Sequence, residues 1–219
     1  DEDLVVGNLG LNSKFKASEQ EPVEVFAADF DGSKTMDAIL CSYIMGESYP
    51  VVSRDRMLEQ MTSLRKKFLR YAIYGRAKIS DIFSKEILDK SYHLKSNLMS
   101  SIILWNNTSS FSIQILPQDI QKSMVKGSCI YDLNHDAKMD IISCGNFYDT
   151  DIDVGIYDAS IGNVLLNDGN KAFTSLNIAQ SGFYVPGNIR TIKKINLGKK
   201  QGFVVVENNG YVKLFSLNN

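Results

Sequence analysis

The chain has 219 residues, 44% hydrophobic and 22% charged, a globular composition rather than a disordered one. Its 24 basic residues nearly balance 25 acidic ones, leaving a net charge of −1, which argues against a dedicated nucleic-acid binder. Apolar runs such as Ile102-Ile103-Leu104-Trp105 fall far short of the ~20 residues a transmembrane helix needs.

The opening, Asp1-Glu2-Asp3-Leu4-Val5-Val6-Gly7, runs straight into strand-like sequence with no basic-then-apolar leader, and reads as the middle of a longer protein. Next comes Phe26 to Cys41, which reads as strand, acidic loop, strand. From residue 45 to about 101 the pattern changes. Ser53 is placed to cap a helix predicted over Arg54–Leu69, in which Met57, Leu58, Met61, Leu64 and Phe68 fall at helical spacing. A second short helix is predicted from Ser84 to about Tyr92. This segment reads as a helical insertion between two halves of a β unit.

After it, Ile102 to Phe111 resembles Val164 to Phe173, each an apolar run, an Asn-led turn and a second run. Asp168-Gly169 predicts the hairpin tip of the later copy, because that dipeptide tolerates the positive φ of tight primed turns. Leu9-Gly10-Leu11 with Asn12-Ser13-Lys14-Phe15 reads as a shorter version. Between the two copies lies a second strand–acidic loop–strand, Cys129 to Cys144. It superposes on Phe26 to Cys41 with Asp132 on Asp29, Asp140 on Asp37 and Cys144 on Cys41. Asp3 to Asn8 echoes Asp140 to Asn146. The last stretch, residues 184–219, keeps a strand–turn–strand pattern but has lost the acids. The chain therefore reads as one β portion with parts at 1–44, 45–101, 102–183 and 184–219.

In the first loop Asp29, Asp31, Ser33 and Asp37 hold positions 1, 3, 5 and 9. Asp132, Asn134, Asp136 and Asp140 hold the same positions in the second. Alternate oxygen side chains on a tight loop converge on one point, and the carbonyl at position 7 (Thr35 or Lys138) adds another donor. That donor set suits calcium, whose shell takes 6–8 oxygens. Leu40 and Ser143 stand where an EF-hand needs Glu, and both loops run strand to strand, so an EF-hand is excluded. Glycine is missing at position 6 (Lys34 and Ala137). Acidic turns without an ion are the plainer reading, since Asp and Asn favour turns; the doubled 1-3-5-9 spacing weighs against it.

Other groups carry less. His135 lies inside a loop, and His93 has no partner nearby in sequence. Cys41 and Cys144 occupy matching strand positions, which suits burial as small hydrophobes better than bridging. Asp149, Asp151, Asp153 and Asp158 form a further acidic patch. No Gly-rich phosphate loop, nucleophile elbow or zinc motif is present.

At these residues the sequence resembles FG-GAP/VCBS repeats, the calcium-loop units of integrin-α-like β-propellers. Gly7-Asn8-Leu9-Gly10, Ser53-Arg54-Asp55, Leu116-Pro117-Gln118 with Gln121, Gly145-Asn146-Phe147-Tyr148 and Tyr157-Asp158-Ala159 are more closely similar to secreted bacterial proteins related to cartilage acidic protein and the ASPIC/UnbV group. The resemblance implies a mainly β fold of about three to four propeller blades, a partial propeller, with calcium in the loops and a place outside the cytoplasm or at the cell envelope. The missing position-6 glycines and the acid-free last repeat depart from that pattern.

The function expected is a non-enzymatic, calcium-stabilised binding or scaffold module with a protein or glycan partner. The alternative is a calcium-dependent lyase or hydrolase acting on polysaccharides through carboxylates near Asp149–Asp158.

Overall fold

The structure, a computed structural model, describes residues 2–198 and 200–217. It is mainly β, with 40% strand and 16% helix in four antiparallel sheets, none of them closed. The chain divides into two compact units, one of Asp1–Ser13 with Ser100–Asn219 and one of Lys14–Met99.

The first unit opens with β1 (Leu4–Val6) and the chain then leaves it. In the second unit β2 (Val23–Ala28), β3 (Asp37–Ile44) and β4 (Glu47–Pro50) pair antiparallel in succession. Then follow α1 (Arg54–Gln60), a 3-10 turn (Thr62–Lys66), and the short helices α2 (Tyr71–Tyr74), α3 (Ile79–Ile82) and α4 (Lys85–Lys90). A strand the sequence reading missed, β5 (Tyr92–Ser96), returns to pair with β2 and gives the sheet order β4-β3-β2-β5. The first acidic loop and the helices thus belong to the same compact unit.

The helix expected over Arg54–Leu69 breaks at Met61, whose φ is −123°. Thr62 and Ser63 come next, and short hydroxyl side chains compete with helical backbone bonding. Ser53 stands at the N-cap, but its side chain makes no capping bond. The apolar stripe survives the break. Met57, Leu58, Met61 and Phe68 are buried with Phe26, Ile39 and Cys41 of the sheet and with Ile79, Ile82 and Phe83 of the later helices.

Back in the first unit, β6 (Ile102–Asn106) pairs with β1 on one side and β7 (Phe111–Ile115) on the other. After a 3-10 turn (Gln118–Lys122), β8 (Val125–Tyr131), β9 (Asp140–Gly145), β10 (Asn163–Gly169) and β11 (Ala172–Leu176) form a four-stranded meander. The one-turn α5 (Ile178–Ser181) leads to the three-stranded meander β12 (Ile189–Leu197), β13 (Lys200–Glu207) and β14 (Val212–Ser216). Residues 9–15, read as a shortened hairpin, form bends without a strand.

The central sheet of this unit is buried on both faces, which explains its continuous apolar runs. Ile141 and Leu165 point into a core shared with Ile103, Leu116, Ile120 and Val125. Their neighbours Ile142 and Val164 point the other way, into a core shared with Ile189, Ile192, Phe203 and Val205. Period-2 alternation of side chains puts adjacent residues in different cores. The expected hairpin between β10 and β11 is present, but its tip is Asn170-Lys171, with φ of 51° and 63°, while Gly169 at φ 83° sits at a register shift.

Two glycines are needed where strands end. A Cβ on Gly145 would lie 1.7 Å from the Met124 carbonyl oxygen, and one on Gly7 would lie 2.3 Å from that of Val125. Gly7-Asn8 and Gly145-Asn146 thus answer the same packing demand after β1 and β9.

Candidate metal-binding loops

The first acidic loop joins β2 to β3 in the second unit and the other joins β8 to β9 in the first unit. Each is set by the same local geometry. Backbone φ is positive at position 4 (Gly32 at 78°, His135 at 61°) and at position 6 (Lys34 at 66°, Ala137 at 65°). Position 6 therefore takes the left-handed conformation without glycine, at a steric cost of roughly 1–2 kcal/mol. Side-chain oxygens compensate. The Lys34 amide donates to Asp29 Oδ2 (2.9 Å) and the Ala137 amide to Asp132 Oδ2 (3.0 Å).

Position 9 is matched as closely. Asp37 and Asp140 are both buried. The Phe30 amide donates to Asp37 Oδ2 at 3.2 Å, and the Leu133 amide to Asp140 Oδ2 at 2.8 Å. The second oxygen of each takes a donor from elsewhere in the chain, Gln60 Nε2 on Asp37 (2.7 Å) and the Asn167 amide on Asp140 (2.8 Å). Asp3 has the same role before β1, its Oδ1 accepting from the Asn106 amide at 2.9 Å. These donors lie tens of residues from the acids, and no local spacing signals them.

In the first loop one ligand atom from each of Asp29, Asp31 and Asp37 lies within 4.8 Å of the others, the one such acidic group among the described residues. Ser33 Oγ stands 2.6 Å from Thr35 Oγ1, and the Ser33 amide donates to Asp31 Oδ1 at 3.0 Å. The hydrogen bonds from Ser33 hold the Asp31 carboxyl below its ordinary value of 3.8. All the side-chain donors are oxygens, the set that hard divalent cations take.

The second loop differs in one respect. Lys138 donates its amide to Asp136 Oδ1 (2.9 Å) and sets its ammonium 3.1 Å from Oδ2. These two bonds hold the Asp136 carboxyl below its ordinary range. The Asp136 amide in turn donates to Asp132 Oδ1 and Asn134 Oδ1, both at 3.1 Å. Asp132, Asn134, Asp136 and Asp140 are thus held in one hydrogen-bonded turn, with a tethered cation already on one of them.

The remaining candidates fall elsewhere. Asp149 pairs with Arg190 at 2.7 Å, and Asp151 Oδ1 accepts from the Asp153 amide at 2.9 Å within an exposed turn. His135 is exposed. Cys41 and Cys144 are fully buried free thiols, and burial pushes each up to about 12. The residues that carried the resemblance include two buried polar pins. Gln121 Nε2 donates to the carbonyls of Ser101 (2.8 Å) and Leu116 (3.1 Å) while its Oε1 accepts from the Ser101 amide. Asn146 Nδ2 donates to the carbonyls of Ser160 and Gly187, and its Oδ1 accepts from the Ser160 amide. No family model, curated protein or solved structure matches the chain.

Proposed function

We propose that the chain is a calcium-stabilised β-repeat module of the FG-GAP/VCBS kind, a non-enzymatic binding or scaffold unit working outside the cytoplasm. The observation that carries this reading is the convergence of Asp29, Asp31 and Asp37 within 4.8 Å, on a loop whose backbone is repeated in the other unit. Three carboxylates so close repel one another unless a cation joins them. Asp29, Asp31, Ser33 and Asp37 supply side-chain oxygens and Thr35 its carbonyl; Asp132, Asn134, Asp136, Asp140 and the Lys138 carbonyl are the corresponding set. An ion there ties two adjacent strands, so its role is structural. In the alternative reading, as a polysaccharide-acting enzyme, Asp149 would have to be freed from Arg190 to take part.

The test is thermal unfolding in calcium, magnesium and chelator of the wild type, Asp29→Asn and Asp132→Asn. A ligand of the native state adds about 2.7 kcal/mol of stability at a hundred times its dissociation constant. The expected result is a calcium-specific rise in Tm that Asp29→Asn reduces. Identical melts in all three buffers would mean that the loops are hydrogen-bonded turns with no ion, and the reading would fall.

A further inference from the structure

The second unit contains a buried charge cluster that the metal-loop reading does not use. Glu24 on β2 is only 3% exposed, yet its carboxylate carries three partners. Ser48 donates to Oε2 at 3.0 Å, while His93 Nε2 stands 3.2 Å and Lys95 Nζ 3.4 Å from Oε1. Strand register explains the gathering. Lys95 is directly opposite Glu24, His93 is opposite Phe26, and Tyr43 is opposite Ser48, so each pair shares a sheet face. At the Phe26 end that face is covered, with Phe26, Ile39 and Cys41 packed among the helices. At the Glu24 end it opens into a cleft of about 350 Å³ walled on the far side by Lys78, Ile79 and Ser80.

Burying a carboxylate is costly unless its partners repay the lost hydration, and convergent polar groups lining a cleft are the usual make-up of a ligand site. Both carboxylates here are already engaged, Glu24 as above and Glu47 by Lys78 at 2.8 Å. The donors are not exhausted. Each ammonium has three N–H groups and spends one on a carboxylate. Both lysines reach solvent, with side chains 56% (Lys95) and 38% (Lys78) exposed. His93 is fixed by stacking on Phe26, ring centroids 4.1 Å apart, and by Glu24, which orients its ring. Burial, and then the charge of Glu24, raise the pKa of the Tyr43 phenol, keeping it a donor.

We infer that this cleft binds a small oxyanion, a carboxylate or a phosphate, between Lys78 and Lys95, with Tyr43 as a further donor and Glu24 as the buried group that positions Lys95 and His93. It is independent of the metal loops.

The test is titration calorimetry of the full chain in metal-free buffer at constant ionic strength, with inorganic phosphate and with succinate as probes. Saturable binding of at least one is expected. It should weaken about tenfold or more in Lys95→Met and in Lys78→Met, the worth of one charge-assisted hydrogen bond, and stay unchanged in Lys193→Met, which removes the same charge in the other unit. Saturation by phosphate alone assigns a phosphate ligand, and by succinate alone a carboxylate. If neither anion saturates, or if both cleft variants bind as the wild type does, the inference is overturned.

Discussion

At the scale of single residues, the likeness of the two acidic loops was legible from their shared spacing, and the structure sets matching residues of both in matching conformations. The partners were not legible. Nothing in the spacing of Asp37 points to Gln60, nor in that of Asp140 to Asn167, since folding alone brings those donors in. His93 looked solitary for the same reason, although Glu24 lies 69 positions away and 3.2 Å off. Asp31 offers a direct test of loop geometry. Hydrogen bonding from the Ser33 side chain, and then from its amide, holds the carboxyl below its ordinary value. A depressed folded-state value contributes stability that is present above the unfolded-state pKa and lost as pH falls through the folded one. In Ser33→Ala the side-chain bond is gone, so carboxyl carbon NMR should find the Asp31 midpoint moved up toward 3.8, and the stability that Asp31 contributes above the unfolded-state pKa should shrink, leaving the acid side of the stability curve flatter. An unmoved midpoint would show that the backbone amide of residue 33 alone holds the charge.

At the scale of elements, repetition and apolar runs located most strands, and chemistry decided where the rest went. The hairpin after β10 was placed by Asp168-Gly169, yet the turn settled on Asn170-Lys171, because Gly169 was taken up by the register shift. β5 was missed because its alternation is inverted: the apolar Tyr92 and Leu94 are exposed, while the polar His93 and Lys95 take the face they share with Phe26 and Glu24. The predicted long helix failed at Met61, though the stripe it carried was read correctly as core. β9 shows what an acidic loop contributes even without an ion. Asp140 at its start is fully buried and holds two backbone amides, of Leu133 in the acidic loop and of Asn167 on β10. Removing a buried acceptor leaves its donors unsatisfied at about 1–3 kcal/mol each. Asp140→Ala should therefore lower unfolding stability by roughly 2–6 kcal/mol in a urea titration in chelator. Asp136→Ala, at an exposed position of the same loop, should change it little. Equal losses in the two variants would mean that ion-free stability does not depend on these buried amide bonds.

At the scale of the whole molecule, the sequence pointed to a mainly β chain but not to how its strands are shared out. Local patterning cannot show that β1 waits for β6, which arrives about a hundred residues later, nor that Lys14–Met99 forms a compact unit in the interval. Within the other unit, the arrangement of sheets has a consequence for association. The middle sheet is covered on both faces, whereas one face of β1-β6-β7 is not. Register puts Leu4, Leu104 and Ile113 in one row across that sheet, with Val6 and Ile115 on either side of the buried Ile102 in the next and Phe111 beside Asn106. Of these, Phe111, Ile113 and Ile115 are 52%, 63% and 54% exposed, and Leu4 is 46% exposed. A contiguous apolar face of this kind marks a contact surface or an aggregation liability. The scaffold reading takes it as the former. The wild-type chain should bind an apolar dye such as ANS and gain scattering as concentration rises. The double variant Ile113→Lys, Ile115→Lys should lose most of both signals while melting near the wild-type temperature, because exposed substitutions away from buried contacts usually shift stability by no more than about 0.5 kcal/mol. If dye binding survives the two lysines, the apolar signal arises elsewhere, and this sheet face is not the contact surface.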